Sequence, residues 1–194
     1  MKRVKLNDKV FKPFISTPQI EQVTRGIAVD LNNKFKNETT PVRFVVVLNG
    51  AMPFAMNLFT KLKFSIELDT VKLSSYEGTT QKEIKTDKPV SLQDYEGRKV
   101  IIVEDIIDTG NTIDYLKDYF NGMRVGEVTT VSLLIKPEVY KKKHPEFTHW
   151  GLLSGAYRDD LLNGIAIGDV FVVGYGLDYN GLGRNLNKIY ALES

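Results

Sequence analysis

Lys99–Val103 reads KVIIV, an apolar and largely β-branched run without polar alternation, and it stops at two acids, Glu104 and Asp105. A strand that is apolar at every position must be covered on both faces, which points to a parallel sheet between helical layers. Arg43–Leu48 (RFVVVL) and Val128–Ile135 (VTTVSLLI) repeat the pattern; Val170–Val173 reads as another strand, and Ser65–Ser75 as one with a blurred alternation. Helical spacing fills the intervals. Ile20, Val23, Ile27, Leu31 and Phe35 form a stripe widened by Thr24 and Ala28, giving an amphipathic helix of about five turns. It opens either on a capping box of Ser16 and Gln19 or on Thr17 with Pro18 at the first helical position. Met52, Ala55, Met56, Phe59 and Leu62 mark a second helix, and Ile113, Leu116 and Phe120 a third that stops at Asn121-Gly122. Tyr76–Asp87 is polar and reads as a long loop or loose hairpin. The expected fold class is α/β, a parallel sheet flanked by helices, in one domain over residues 1–194.

Composition narrows the functional classes. With 26 Lys and Arg against 24 Asp and Glu, the net charge of +2 is too balanced for binding to nucleic acid or membrane by bulk electrostatics. The absence of cysteine excludes disulfides, a thiolate nucleophile and Cys-based metal sites, and fits a reducing cytoplasm. Met1–Ser16 lacks the apolar stretch of a secretory signal. Phe44–Thr60 is uncharged, but Asn49, Gly50, Pro53 and Asn57 interrupt it, so a strand, turn and helix fit better than a membrane span. His144 and His149 have no companions at a metal spacing, and Lys141-Lys142-Lys143 reads as a solvated face. Neither a P-loop nor a G-x-G-x-x-G fingerprint occurs.

The chemistry concentrates in Val103–Thr112, VEDIIDTGNT, at the carboxyl end of a buried strand, where open α/β sheets bind ligands. Asp108, Thr109, Gly110, Asn111 and Thr112 have the parts of a phosphate cradle: a glycine for a tight turn, two hydroxyls, and a helix N-terminus with free N–H groups. Glu104 and Asp105 can accept hydrogen bonds from vicinal sugar hydroxyls or help hold magnesium. A nest and a carboxylate pair at this spacing suit a ribose 5-phosphate. The plainer alternative is a helix capped by Asp108 or Thr109.

This run resembles the phosphoribosyl-pyrophosphate signature of type I phosphoribosyltransferases, and from about Phe44 onward the chain resembles the hypoxanthine-guanine, or 6-oxopurine, members. Leu48-Asn49-Gly50 is similar to their pyrophosphate-binding loop, in which a backbone N–H in an often cis peptide faces pyrophosphate. Ser75-Tyr76 resembles the start of their mobile loop. Leu133–Lys136 is similar to the strand whose terminal lysine donates to the purine O6. Phe171–Asn180 (FVVGYGLDYN) resembles the segment that stacks on the base and reaches the metal, and Arg184 stands at a pyrophosphate-contacting arginine.

The resemblance implies a parallel sheet with a small hood formed by the N-terminal helix and the C-terminal segment. It implies transfer of the 5-phosphoribosyl group from phosphoribosyl pyrophosphate to N9 of hypoxanthine or guanine, with Mg2+ as cofactor. Asp108 takes the role of proton acceptor at N7. Glu104, Asp105 and Asp108–Thr112 hold the phosphoribose, Asn49, Gly50 and Arg184 the pyrophosphate, and Lys136, Phe171, Val172 and Asp178 the base. Asp178, Glu104 and Asp105 are the implied metal residues. A homodimer or homotetramer in the cytoplasm is implied as well. The chain departs from the family at Asn49, where a longer and often basic residue is common, at Asn111, where lysine is common, and in the long interval between Lys136 and Phe171. The alternatives are a xanthine-preferring enzyme and a regulator of the same fold that binds nucleotide and nucleic acid.

Overall fold

The computed structural model describes residues 2–75, 82–86, 92–143 and 161–193. In chain order the elements are β1 (Val4–Leu6), β2 (Lys9–Ile15), α1 (Thr17–Lys34), β3 (Val42–Val47), α2 (Met52–Phe59), β4 (Ile66–Ser75), β5 (Lys82–Thr86), α3 (Leu92–Tyr95), β6 (Lys99–Ile107), α4 (Asn111–Gly122), β7 (Glu127–Ile135), α5 (Pro137–Lys143), β8 (Leu161–Ala166), β9 (Val172–Val173) and β10 (Ile189–Leu192). Tyr76, His144, His149 and residues 144–160 of the interval between Lys136 and Phe171 lie outside the described residues.

Two sheets result. The larger has the order β5-β4-β3-β6-β7-β8, parallel throughout except for the antiparallel edge strand β5. Alternate residues of its strands enter different cores. Phe44, Val46, Ile101 and Val103 pack toward α1 and α2, whereas Val45, Val47, Val100 and Ile102 pack toward α3 and α4. This explains why these strands read as unbroken apolar runs. Each such fully buried side chain contributes about 1.5–3 kcal/mol of transfer free energy. At the opposite end of the sheet from the site, the Arg43 guanidinium pairs with Asp69 at 2.7 Å and lies 4.5 Å from the Tyr95 ring centroid, tying β3 to β4 and α3.

The smaller sheet has the order β1-β2-β10-β9 and is antiparallel, with Phe11, Val173 and Tyr190 at its centre. It is the hood, and two expectations need correction. α1 is no part of it; its buried face (Ile20, Val23, Ile27, Leu31) joins the main core, in contact with α2, β7 and β8. The strand read at 170–173 is shorter and pairs with β10 in the hood rather than joining the parallel sheet. The N-terminal contribution comes instead from β1 and β2, where the register with β10 skips Phe14, next to Pro13, which a regular inner strand does not accept.

No helix among the described residues is long and apolar enough to cross a membrane.

Candidate active site

Strand order reverses between β3 and β6: from β3 the sheet grows through β4, and from β6 it grows the other way through β7. The crevice beyond the carboxyl ends of two such strands is where open α/β sheets bind ligands. Residues 48–51, after β3, and 108–112, after β6, therefore face the same opening.

Beyond β6, residues Glu104 and Ile106–Ile113 line a depression of about 280 Å³. Gly110 has φ +81° and caps α4, so the chain turns sharply from strand into helix. Its carbonyl accepts from the Asp114 N–H at 2.9 Å, which starts the helix and leaves the first-turn N–H groups facing the depression. Asp108, Thr109, Gly110, Asn111 and Thr112 all line it, so the structure gathers the whole expected cradle.

β6 is longer than the apolar run: it continues through Glu104 and Asp105 to Ile107. Glu104 is buried, and its Oε1 accepts from the Asp105 N–H at 3.2 Å. Burial pushes the Asp105 carboxyl up from its ordinary value, against the lowering effects of Glu104, the Ile106 N–H and the charge of Arg184. The Asp105 carboxylate presses on the backbone of Gly50, where a Cβ would stand 1.6 Å from Oδ2. Gly50 in turn accommodates Gly176, whose own φ is +101° and whose Cβ would meet the Gly50 carbonyl oxygen at 2.0 Å. The peptide Leu48–Asn49 is cis, as the resemblance led one to expect, and Asn49 is exposed beside buried Gly50.

Lys136 follows the last residue of β7 and is only 8% exposed. A lone strand-end lysine ordinarily points into water; this one is held by two carboxylates, Asp108 Oδ2 and Asp169 Oδ1, each at 3.0 Å from Nζ. Burial works against its charged form, but these two hydrogen bonds prevail and its pKa is raised. Asp169 was not among the residues singled out from sequence. Phe171 is 44% exposed, with Tyr179 edge-on at 5.8 Å, Phe11 tilted at 6.2 Å and Lys9 Nζ 5.7 Å from its centroid. Val172 is buried in β9.

Arg184 and Asp178 form an ion pair at 2.6 Å, and Arg184 also donates to the Gly176 carbonyl at 2.8 Å. The second oxygen of Asp178 accepts from the Gly181 N–H at 2.7 Å. The three residues expected at a metal thus do not form a protein-only cage: among the described residues no group of three or more acidic or imidazole side chains stands together. Asp178 is drawn into its own loop, whereas Asp105 is sunk against Gly50. Ser75 closes β4, and Tyr76 lies outside the described residues.

A polar cluster ties this loop to the main domain. Asn57 Nδ2 of α2 donates to Tyr175 Oη at 2.9 Å and to Glu21 Oε2 of α1 at 3.1 Å, and Glu21 also pairs with Arg25 at 2.8 Å and Lys61 at 3.3 Å.

The family described as phosphoribosyl transferase domain matches residues 14–151. The chain is 33% identical over 184 residues to the hypoxanthine-guanine phosphoribosyltransferase of Bacillus subtilis, covering 94% of this chain and 93% of that protein. Among solved structures, it is similar to a hypoxanthine-guanine phosphoribosyltransferase from Bacillus anthracis, with TM-score 0.74, 29% identity, and coverage of 96% of this chain and 99% of the other. A hypoxanthine phosphoribosyltransferase from Trypanosoma cruzi in complex with the product IMP gives TM-score 0.76 at 26% identity, with coverage of 98% and 93%.

Proposed function

Because the chain belongs to the phosphoribosyl transferase family over most of its length, we propose that it is a purine salvage enzyme, transferring the 5-phosphoribosyl group from phosphoribosyl pyrophosphate to N9 of hypoxanthine or guanine. The observation that carries this reading is the pairing of Lys136 with Asp108 at 3.0 Å beside the phosphate cradle. A cationic donor and a carboxylate acceptor side by side match the adjacent O6 acceptor and N7–H donor of a 6-oxopurine. Adenine carries an amino donor at position 6, which would face the lysine donor and be rejected.

In this mechanism the cradle from Asp108 to Thr112 binds the 5-phosphate through the N–H groups at the start of α4. Glu104 and Asp105 accept from the ribose hydroxyls. Backbone groups of Asn49 and Gly50, together with Arg184, hold the pyrophosphate and stabilise its developing charge as the C1–O bond breaks. Asp108 accepts the N7 proton as N9 attacks, Lys136 donates to O6, Phe171 stacks on the ring, and the backbone at Val172 meets its polar edge. The segment opening at Ser75 and Tyr76 serves as the cover that keeps water from the ribosyl cation.

Magnesium is the cofactor of this reading. Magnesium is usually held by one or two carboxylates completed by substrate phosphates and water, so the hard oxygens of Asp178, or of Glu104 and Asp105 in the β6 segment, would suit it without a protein-only cage. When bound, it neutralises charge on the pyrophosphate. The same reading has the protein act as a homodimer or homotetramer in the cytoplasm, with no nucleic-acid partner.

The test is a spectrophotometric turnover assay with phosphoribosyl pyrophosphate and Mg2+ against hypoxanthine, guanine, xanthine and adenine in parallel. Nucleoside monophosphate should form from hypoxanthine or guanine and not from adenine. Binding of phosphoribosyl pyrophosphate without turnover of any base would sink the proposal.

A further inference from the structure

Asp169 belongs to none of the motifs that identify the site. It lies in the connection from β8 to β9, two residues before Phe171, with its side chain 71% exposed, yet its Oδ1 accepts from Lys136 Nζ at 3.0 Å. The same Nζ donates to Asp108 Oδ2 at 3.0 Å. An ammonium has three N–H groups in tetrahedral arrangement. With two of them taken up by carboxylates from separate segments, the direction of the third is fixed.

We infer that Asp169 is a positioning residue for base recognition: it holds Lys136 so that the remaining N–H points at the purine O6. This inference rests on the function proposed above. Three observations support it. Lys136 is nearly fully buried, and a buried ammonium needs paired acceptors to stay charged and in one place. Asp108 cannot serve Lys136 undisturbed while it also receives the N7 proton; once protonated it carries no charge, and Asp169 is then the carboxylate still paired with the ammonium. Finally, Asp169 and Phe171 share a short segment fixed at both ends: the Val170 N–H donates to the Gly168 carbonyl at 2.8 Å, and the Phe171 carbonyl accepts from the Leu192 N–H at 2.8 Å. The residue that orients the O6 donor and the ring that stacks on the base are thereby held at one spacing. An exposed ion pair with no such role would contribute little to stability and nothing to ligand choice.

The experiment compares the full-length protein with its Asp169→Asn and Asp169→Glu variants. Steady-state kinetics give separate KM values for hypoxanthine and phosphoribosyl pyrophosphate, and calorimetry gives affinities for IMP and for ribose 5-phosphate, which lacks the base. Asp169→Asn is expected to raise the hypoxanthine KM and weaken IMP roughly tenfold, the scale of one hydrogen bond to a charged group. Ribose 5-phosphate affinity and the phosphoribosyl pyrophosphate KM stay within about twofold on the same grounds, and Asp169→Glu recovers most of the loss because the carboxylate is retained. Unchanged IMP affinity in Asp169→Asn, or an equal loss for ribose 5-phosphate, overturns the inference. Unsubstituted protein that binds ribose 5-phosphate but neither binds IMP nor turns over hypoxanthine overturns the functional reading, and this inference with it.

Discussion

Gly50 and Asp105 leave no room between them for a methyl group: a Cβ on Gly50 would fall 1.6 Å from Asp105 Oδ2. The contact joins the loop after β3 to the acid pair of β6, so the pyrophosphate and ribose subsites share one wall. Gly50→Ala should cost about 1–3 kcal/mol of stability through overpacking. At roughly 2–4 °C per kcal/mol for a chain of this size, the loss is visible by calorimetry. Turnover should fall by about 10²-fold, since a shift of an ångström at a reacting group has that effect. Adding Asp105→Ala removes the clash and should restore the melting temperature without restoring turnover. A Gly50→Ala protein with unchanged melting and turnover would contradict the packing described.

Asp108 sits at the mouth of the cradle and reaches Lys136 through one carboxylate oxygen. Asp108→Asn keeps the shape and removes the proton acceptor, so kcat should drop by about 10²–10⁴-fold. The phosphoribosyl pyrophosphate KM should move much less. Equal loss in both parameters would assign Asp108 to binding rather than proton transfer.

Phe171 has one part of its ring packed by Phe11 and Tyr179 and the rest open. A base stacked on an aromatic ring gains about 1–3 kcal/mol. Phe171→Ala should therefore raise the hypoxanthine KM by roughly 5- to 150-fold, the same free energy expressed as a ratio, with little change in phosphoribosyl pyrophosphate KM. Parallel increases in both would place the ring away from the base.

The Arg25 guanidinium and then the Asn57 amide hold the Glu21 carboxyl down to about 2. A carboxylate depressed in the folded state adds stability that is fully present above its unfolded value, near 4.5, and is lost as the pH falls from there through about 2. Urea midpoints measured at pH 6 and pH 3 should therefore differ less for Glu21→Gln than for the unsubstituted protein. Equal differences would mean that the cluster joining α1, α2 and Tyr175 contributes nothing on the acid side.

How much of this was legible in the sequence depends on how local each signal is. KVIIV and RFVVVL reveal their strands because burial on both faces leaves no polar gap after the first residue, VTTVSLLI because its polar members, Thr129, Thr130 and Ser132, are small and buried with the rest, and Gly110 with its neighbours reveals the cradle because the turn and helix start are consecutive in the chain. β2 escaped notice because Pro13 and the interspersed lysines break the pattern that the bulge accommodates. β10 is too short to show a period, and the apolar run at 170–173 shows a strand at β9 without showing which sheet it joins. Glu104 and Asp105 read as the end of a strand, although β6 carries them inside it. Asp169 could not be found at all, since nothing near it in sequence signals a partner and Lys136 meets it only in three dimensions.

The hood pairs β2 with β10, strands separated by nearly the whole chain, whereas the phosphate cradle closes within a few residues of β6. Contacts of long sequence separation carry a large loop-closure cost and form late. As the chain leaves the ribosome, the subsite for phosphate can assemble while the platform for the base still lacks its last strand. Amide protection in pulse-labelled exchange should accordingly reach Ile102 before Tyr190. A chain halted short of β10 would carry the Lys136–Asp108 pair but lack the strand whose Leu192 N–H fixes the backbone of Phe171, the ring on which the base stacks.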